Sequence, residues 1–253
     1  SAHYSGPLLE YFQNACPEAW DLLGEMSSQG QMELLGGGFY EPILSIIPEE
    51  DRLGQIDLMS ACLEKNFGRK PRGLWLTERV WEPSLASTLA RAGIAYTLLD
   101  ENHFHSSHLP DLRGSYVTED QGFPLRLLAI DQKLRYLIPF RDVDEIRSYL
   151  EEIRSGGGWA VLGDDGEKFG LWPGTKAWVF EKGWLERFLR LLEESRIPTM
   201  TFGEAVSSRP PEARIYPPPA SYAEMTEWVL EPEDEKRFRR LKSLIPPDEI
   251  RGF

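Results

Sequence analysis

The sequence predicts an α/β fold built on a parallel sheet or barrel, and three observations carry that expectation. Short apolar runs recur, each stopping at polar residues: Leu74-Trp75-Leu76 before Glu78, Ala95–Leu99 before Asp100, and Trp159–Leu162 before Asp164-Asp165. Segments of helical spacing accompany them at Ser84–Ala92, Asp142–Arg154 and Lys182–Arg196. Prolines and glycines mark the joins, among them Pro83, Gly93 and Gly156-Gly157-Gly158. Strand, polar loop and helix in alternation make a parallel arrangement, and ligands bind such folds at the carboxyl ends of the strands.

In chain order, residues 7–14 and 17–28 have helical spacing with prolines at both starts. Gln31–Leu35 reads as a strand running into Gly36-Gly37-Gly38, where backbone must pass close to a neighbour. Glu33, Tyr40 and Glu41 flank that turn as polar groups around a pocket. A helix follows from Pro48 or Glu49 to about Phe67, with Ile56, Met59, Ala61, Leu63 and Phe67 inward. Ser115–Thr118, Leu125–Ile130 and Leu134–Ile138 read as short strands of an antiparallel excursion. A strand near Thr199–Phe202 precedes a short helix at Gly203–Ser207. Residues 209–220 hold five prolines and form an irregular connection, and Tyr222–Leu244 is helical and highly charged with no legible chemistry. The expected division is therefore a barrel over 1–208 and a proline-rich, helical segment over 209–253.

Composition narrows the function classes. The chain has 253 residues, 28 basic against 41 acidic, for a net charge of −13, which argues against a phosphate backbone or an anionic membrane as partner. No apolar run approaches the roughly 18 residues of a membrane span, and no basic-then-apolar signal opens the sequence. Cys16 and Cys62 are too few for a disulfide framework or structural zinc and read as buried thiols in a reducing cytoplasm. No GxSxG, P-loop or GxGxxG-after-strand motif is present, so the serine hydrolase, nucleotide hydrolase and dinucleotide classes lack their key part.

Two strand ends carry the chemistry. Glu78 stands where the strand gives way to a loop, either as a catalytic carboxylate or as half of a surface ion pair with Arg79. Asp164-Asp165-Gly166 is either a second acid or an acidic turn with a left-handed glycine. Two carboxylates at neighbouring strand ends can divide glycoside cleavage, one attacking the anomeric carbon and the other protonating the leaving oxygen. Trp75, Trp81, Phe169 and Trp172 lie beside them, and sugar rings stack on such surfaces. The histidines of His103-Phe104-His105-Ser106-Ser107-His108 lack a companion ligand cluster, so a solvated or substrate-facing loop is expected there, with no metal and no cofactor.

Gly73-Leu74-Trp75-Leu76-Thr77-Glu78-Arg79-Val80-Trp81-Glu82-Pro83 resembles the nucleophile motif of glycoside hydrolase family 57, and the run from Asp164 to Thr175 resembles its acid motif. Gly30–Glu33 and Gly36–Pro42 are similar to the 4-α-glucanotransferase and α-amylase branch, the likeness running from His3 to about Trp228. The resemblance implies a distorted (β/α)7 barrel and a retaining enzyme on α-1,4-glucans or maltooligosaccharides. It makes Glu78 the nucleophile and Asp165, directly before the x-Glu-x-Phe-Gly pattern, the general acid/base. Trp75 and Glu33 match substrate-lining positions, and Asp164, Tyr40 and Trp172 complete the expected substrate-binding set. The family's His-Gln-Pro motif, its Trp-His-Gly-type motif and its β-rich C-terminal domain are absent. The expected piece is thus an incomplete barrel with a helical C-terminal segment, cytoplasmic, acting as a homodimer or with a complementing chain. The alternative from another class is a non-catalytic glucan-binding or regulatory relative.

Overall fold

The structure, a computed structural model, describes residues 1–107, 112–195, 197–228 and 231–244. Two helices open the chain, α1 (Gly6–Ala15), capped by the Ser5 hydroxyl, and α2 (Pro17–Ser28). The three glycines follow, and a Cβ on Gly37 would sit 2.3 Å from the His3 ring, the close approach their presence implied. Helix α3 (Glu49–Phe67) buries Ile56, Met59 and Leu63 and stops at Gly68, which is left-handed.

Strand β1 (Gly73–Leu74) leads through helix α4 (Leu85–Arg91) to β2 (Tyr96–Asp100), and β3 (Ser115–Asp120) turns into β4 (Phe123–Ile130). The order is β1-β2-β4-β3, with β1, β2 and β4 parallel and β3 antiparallel to β4. Beyond β1 the arrangement continues through parallel bridges, Gly36 with Leu74 and Ala2 with Leu34. Beyond β4 the Asp131 N–H donates to Val161 O at 2.9 Å, which sets the 159–163 segment alongside. That segment and residues 199–201 carry no regular ladder, so the strands expected there are single extended passes.

Of residues 134–138, expected as a strand, 134–137 belong to helix α5 (Gln132–Leu137) and Ile138 caps its end. The Asp131 side chain caps it by accepting from Leu134 N–H, and Leu134, Leu137 and Ile138 fall at helical spacing against the core of the outer layer. Helix α6 (Val143–Ser155) and α7 (Trp184–Glu194) pack with α5 around buried Ile146, Trp184 and Leu191. Helix α8 (Phe202–Ser208) begins with a capping box between Thr201 and Glu204. The last helices are α9 (Ala223–Trp228) and α10 (Pro232–Leu244), the latter without a buried residue.

Alternation along the strands divides the core. Leu74, Leu99, Leu127 and Ala129 face α3 and α4, where they join Ile56, Leu85 and Leu89. Tyr96, Leu98, Leu128 and Ile130 face the other way with Leu35, Val161, Val206 and Trp75. The architecture is an incomplete (β/α) barrel, and Trp75 belongs to its inner face. Among the described residues no helix is long and apolar enough to cross a membrane.

Residues 212–220 of the proline-rich 209–220 connection hydrogen-bond to Trp81 and to β3. Ile215 is buried in the core beside Leu125 and donates its N–H to Val117 O, while Trp81 and Ala220 exchange both backbone hydrogen bonds, at 2.9 and 3.2 Å. The Trp81 indole also donates to Pro217 O at 3.2 Å.

Candidate active site

Three passes of the chain end on one side of the barrel, and each delivers an acid there. After β1 the chain makes a short 3-10 turn, Thr77–Arg79, in which Glu78 (φ 52°, ψ 15°) and Arg79 (φ 47°) both adopt the left-handed region. Two consecutive non-glycine residues in that region cost energy, and such strain collects at functional positions. Asp100 ends β2 and is fully buried. Asp164 and Asp165 follow Val161 in the pass beyond β4.

A cavity of about 750 Å³ opens at this end, and Glu78, Arg79, Trp75, Asp164, Asp165 and Glu167 line it together with the N-terminal residues Ala2, His3 and Tyr4. The two expected catalytic carboxylates thus share one cavity. Gly163 makes room for it: a Cβ there would meet Ile130 Cδ1 at 2.8 Å and Trp75 Cζ3 at 3.4 Å.

The two adjacent aspartates occupy different environments. Asp164 has only 4% of its side chain exposed and accepts from Lys168 Nζ at 2.6 Å, with Arg135 Nε 3.7 Å away. Arg135 in turn donates to Asp100 Oδ2 at 2.7 Å. Burial opposes the Arg135 charge, but Asp100 and Asp164 outweigh it and hold the guanidinium above its ordinary pKa. Asp165 keeps 42% of its side chain exposed, and its one ion-pair partner among the described residues is Arg79, at 3.6 Å. Both line the cavity, but one carboxylate is committed to a buried charge cluster while its neighbour stays partly exposed.

Arg79 does not form the surface pair with Glu78 that the sequence allowed. It is buried, with its guanidinium 5.1 Å from the Trp75 ring centre and 4.4 Å from that of Tyr222. Glu78 instead accepts a hydrogen bond from the Tyr222 hydroxyl on Oε2, and its backbone carbonyl accepts from Ser221 Oγ at 2.5 Å. Gly166 has no positive φ; it starts a 3-10 turn, Gly166–Phe169, which carries Lys168 back to Asp164.

The other expected site residues lie elsewhere. Glu33 turns its carboxylate to the Tyr96 hydroxyl at 2.6 Å, Ser1 Oγ at 2.8 Å and the Gly203 N–H at 2.9 Å, outside the cavity lining. Tyr40 is exposed and packs edge-on against Phe39, and Trp172 stands by Phe140 and Lys168; neither lines the cavity.

His103, expected on a solvated or substrate-facing loop, is fully buried. Its ring nitrogens stand 2.9 Å from Asp100 O and 2.8 Å from Arg79 O, so the imidazole braces the turn that carries Glu78. Burial lowers its pKa. His108 lies outside the described residues. Among those residues no group of three or more His, Cys, Asp or Glu side chains is arranged to hold a metal ion.

Sequence reasoning missed Arg79, Arg135, Lys168, Ser221 and Tyr222. Only Arg79 and Lys168 carried a local signal, lying inside the two long motifs. Arg135 was hidden in an expected strand, and Ser221 and Tyr222 at the join between the proline-rich connection and a helical segment with no legible chemistry.

Known proteins resemble this chain along most of its length. The chain is 46% identical over 243 residues to a 4-alpha-glucanotransferase of Thermococcus kodakarensis, covering 94% of this chain and 37% of that protein. It is 46% identical over 241 residues to an alpha-amylase of Pyrococcus furiosus, covering 93% of this chain and 37% of the relative. The crystal structure of 4-alpha-glucanotransferase from Thermococcus litoralis superposes with a TM-score of 0.92 at 44% identity, over 99% of this chain and 41% of that one. A GH57-type branching enzyme from Pyrococcus horikoshii shares the fold at a TM-score of 0.67 and 18% identity, over 89% of this chain and 54% of that one. This chain therefore spans about two-fifths of the length of the 4-alpha-glucanotransferases and alpha-amylase it matches. The sequence model of glycosyl hydrolase family 57 matches residues 1–218, and the chain belongs to that family.

Proposed function

We propose that this chain carries the catalytic pair of a retaining enzyme acting on α-1,4-glucans, with transfer to a second glucan ahead of hydrolysis. The observation that carries the reading is the contrast within one cavity: Glu78, Asp164 and Asp165 all line it, but Asp164 is tied into buried charges while Asp165 stays partly exposed. Glu78 attacks the anomeric carbon, the glycosidic bond breaks, and the departing oxygen takes its proton from Asp165. The Asp165 carboxylate then removes a proton from an acceptor sugar hydroxyl, or from water, as that oxygen displaces Glu78. Trp75 offers a ring face for a sugar, and Glu33, Tyr40 and Trp172 belong to more distant contacts with a long glucan. The half-buried free thiols Cys16 and Cys62 fit a reducing cytoplasm.

The test is to incubate the folded chain with maltooligosaccharides and follow chain lengths and the configuration of the new anomeric centre. Redistribution with retained α configuration is expected. Neither redistribution nor glucose release from a folded chain would sink the proposal. Because the chain spans only part of its relatives, a non-catalytic glucan-binding role is the second reading, along with dependence on a second copy or a complementing chain. Glucan binding that survives Glu78→Gln, without turnover by the unmutated chain, would favour the binding role.

A further inference from the structure

We infer that Ser221 and Tyr222 form a clamp that positions the Glu78 carboxylate for attack. The inference builds on the reading of Glu78 as nucleophile. Both residues lie beyond the stretch matched to the family, which ends at residue 218.

The clamp grips Glu78 at two points. Ser221 Oγ donates to the Glu78 backbone carbonyl at 2.5 Å, and the Tyr222 hydroxyl donates to Oε2. The first contact holds a peptide whose left-handed conformation is strained for a residue with a side chain, and the second fixes the direction of the carboxylate. With Oε2 accepting from Tyr222, Oε1 is the oxygen left to form the bond to the anomeric carbon. The Tyr222 proton stays on its own oxygen throughout; the proton given to the leaving group comes from Asp165.

The clamp is itself braced. Asn102 Nδ2 donates to Ser221 O at 3.0 Å, and the preceding Ala220 is bonded both ways to Trp81. The Tyr222 ring is buried, with the Arg79 guanidinium 4.4 Å and the Arg135 guanidinium 5.4 Å from its centre. Those cations also reach Asp165 and Asp164, so one tyrosine touches the supports of both acid loops. Burial, and then the bond to Glu78 and its charge, raise the pKa of the Tyr222 hydroxyl, as expected of a donor facing a carboxylate.

Tyr222→Phe keeps the ring and its cation contacts and removes only the O–H. With maltosyl fluoride, whose leaving group needs little protonation, a drop in kcat of about 10- to 100-fold is expected. KM should stay within about threefold and the melting temperature should hold, because the lost bond orients a reacting group rather than binding sugar. Ser221→Ala should lower kcat less, in the same direction. Unchanged kcat in a folded Tyr222→Phe chain, or a loss confined to KM, overturns the clamp.

A second readout needs no turnover. In protein labelled at tyrosine Cζ, the Tyr222 resonance is identified by its loss in Tyr222→Phe. It should move in Glu78→Gln at neutral pH, when a charged acceptor becomes a neutral one. No movement in a folded Glu78→Gln chain overturns the clamp whatever the activity. A moved resonance in a chain without glucan turnover supports the clamp and removes the functional reading instead.

Discussion

Lys168 Nζ stands 2.6 Å from Asp164 Oδ2, and the side chains of the two residues are only 6% and 4% exposed. A turn of the chain later in sequence thus neutralises the acid that directly precedes Asp165. A buried pair of this kind is strongly destabilising to break from one side, because it strands the remaining charge. Lys168→Met is therefore expected to cost about 3–5 kcal/mol in urea unfolding. The double change Asp164→Asn/Lys168→Met should recover part of that loss, since no stranded charge remains. Additive losses would show that the pair is not coupled.

The same burial separates the roles of the two aspartates. Asp165→Asn should lower glucan turnover by about 10²- to 10⁴-fold, the usual worth of a general acid/base, while the melting temperature stays near that of the unmutated chain. Asp164→Asn should lower the melting temperature first, because it unbalances Lys168 and Arg135. The comparison is made on matched preparations, by product analysis and thermal melts. A larger catalytic loss at Asp164 than at Asp165, with both variants equally stable, would reverse the assignment.

Glu33 joins distant parts of the chain: Tyr96 on β2, Ser1, and Gly203 in α8 all donate to its carboxylate. Burial first, then Glu33, raises the Tyr96 hydroxyl pKa, so this donor keeps its proton across the working range. Glu33→Gln should cost about 1–3 kcal/mol of stability, because an amide replaces a charged acceptor and turns donors toward donors. If Glu33 also contacts glucan, the variant shows weaker sugar binding at a temperature where it is fully folded. Unaltered stability together with lost binding would make its role purely one of recognition.

His103 gives a pH dependence with a defined sign. Its folded pKa lies below the ordinary value of 6.5, chiefly through burial, so the unfolded chain binds its proton at higher pH than the folded chain does. This group leaves stability intact above about pH 6.5 and subtracts from it as pH falls from there toward the lowered folded value. Urea midpoints should decline between pH 7.5 and 5.5. The decline should be shallower in His103→Gln, which keeps a side-chain donor but cannot titrate. Equal slopes in the two proteins would remove His103 as the cause.

The sequence by itself determined the parallel α/β character, the boundaries of α2 and α3, and the identity of the acids at the ends of the Leu74 and Val161 passes. These are local or periodic signals: helical spacing, proline starts, a glycine stop, and apolar runs closing on carboxylates. It also carried the motifs through which the family could be recognised. The tertiary structure decided which neighbours those acids keep. Nothing in the order Asp164-Asp165 tells which one is neutralised, because Arg135 comes from a separate segment and only the Gly166–Phe169 turn carries Lys168 back to Asp164. Residues 134–138 read as a strand until the Asp131 cap and the packing against α6 drew 134–137 into a helix. Ser221 and Tyr222 reach Glu78 across more than 140 positions of sequence. Chain folding sets a contact of that span, and no spacing within the chain encodes it.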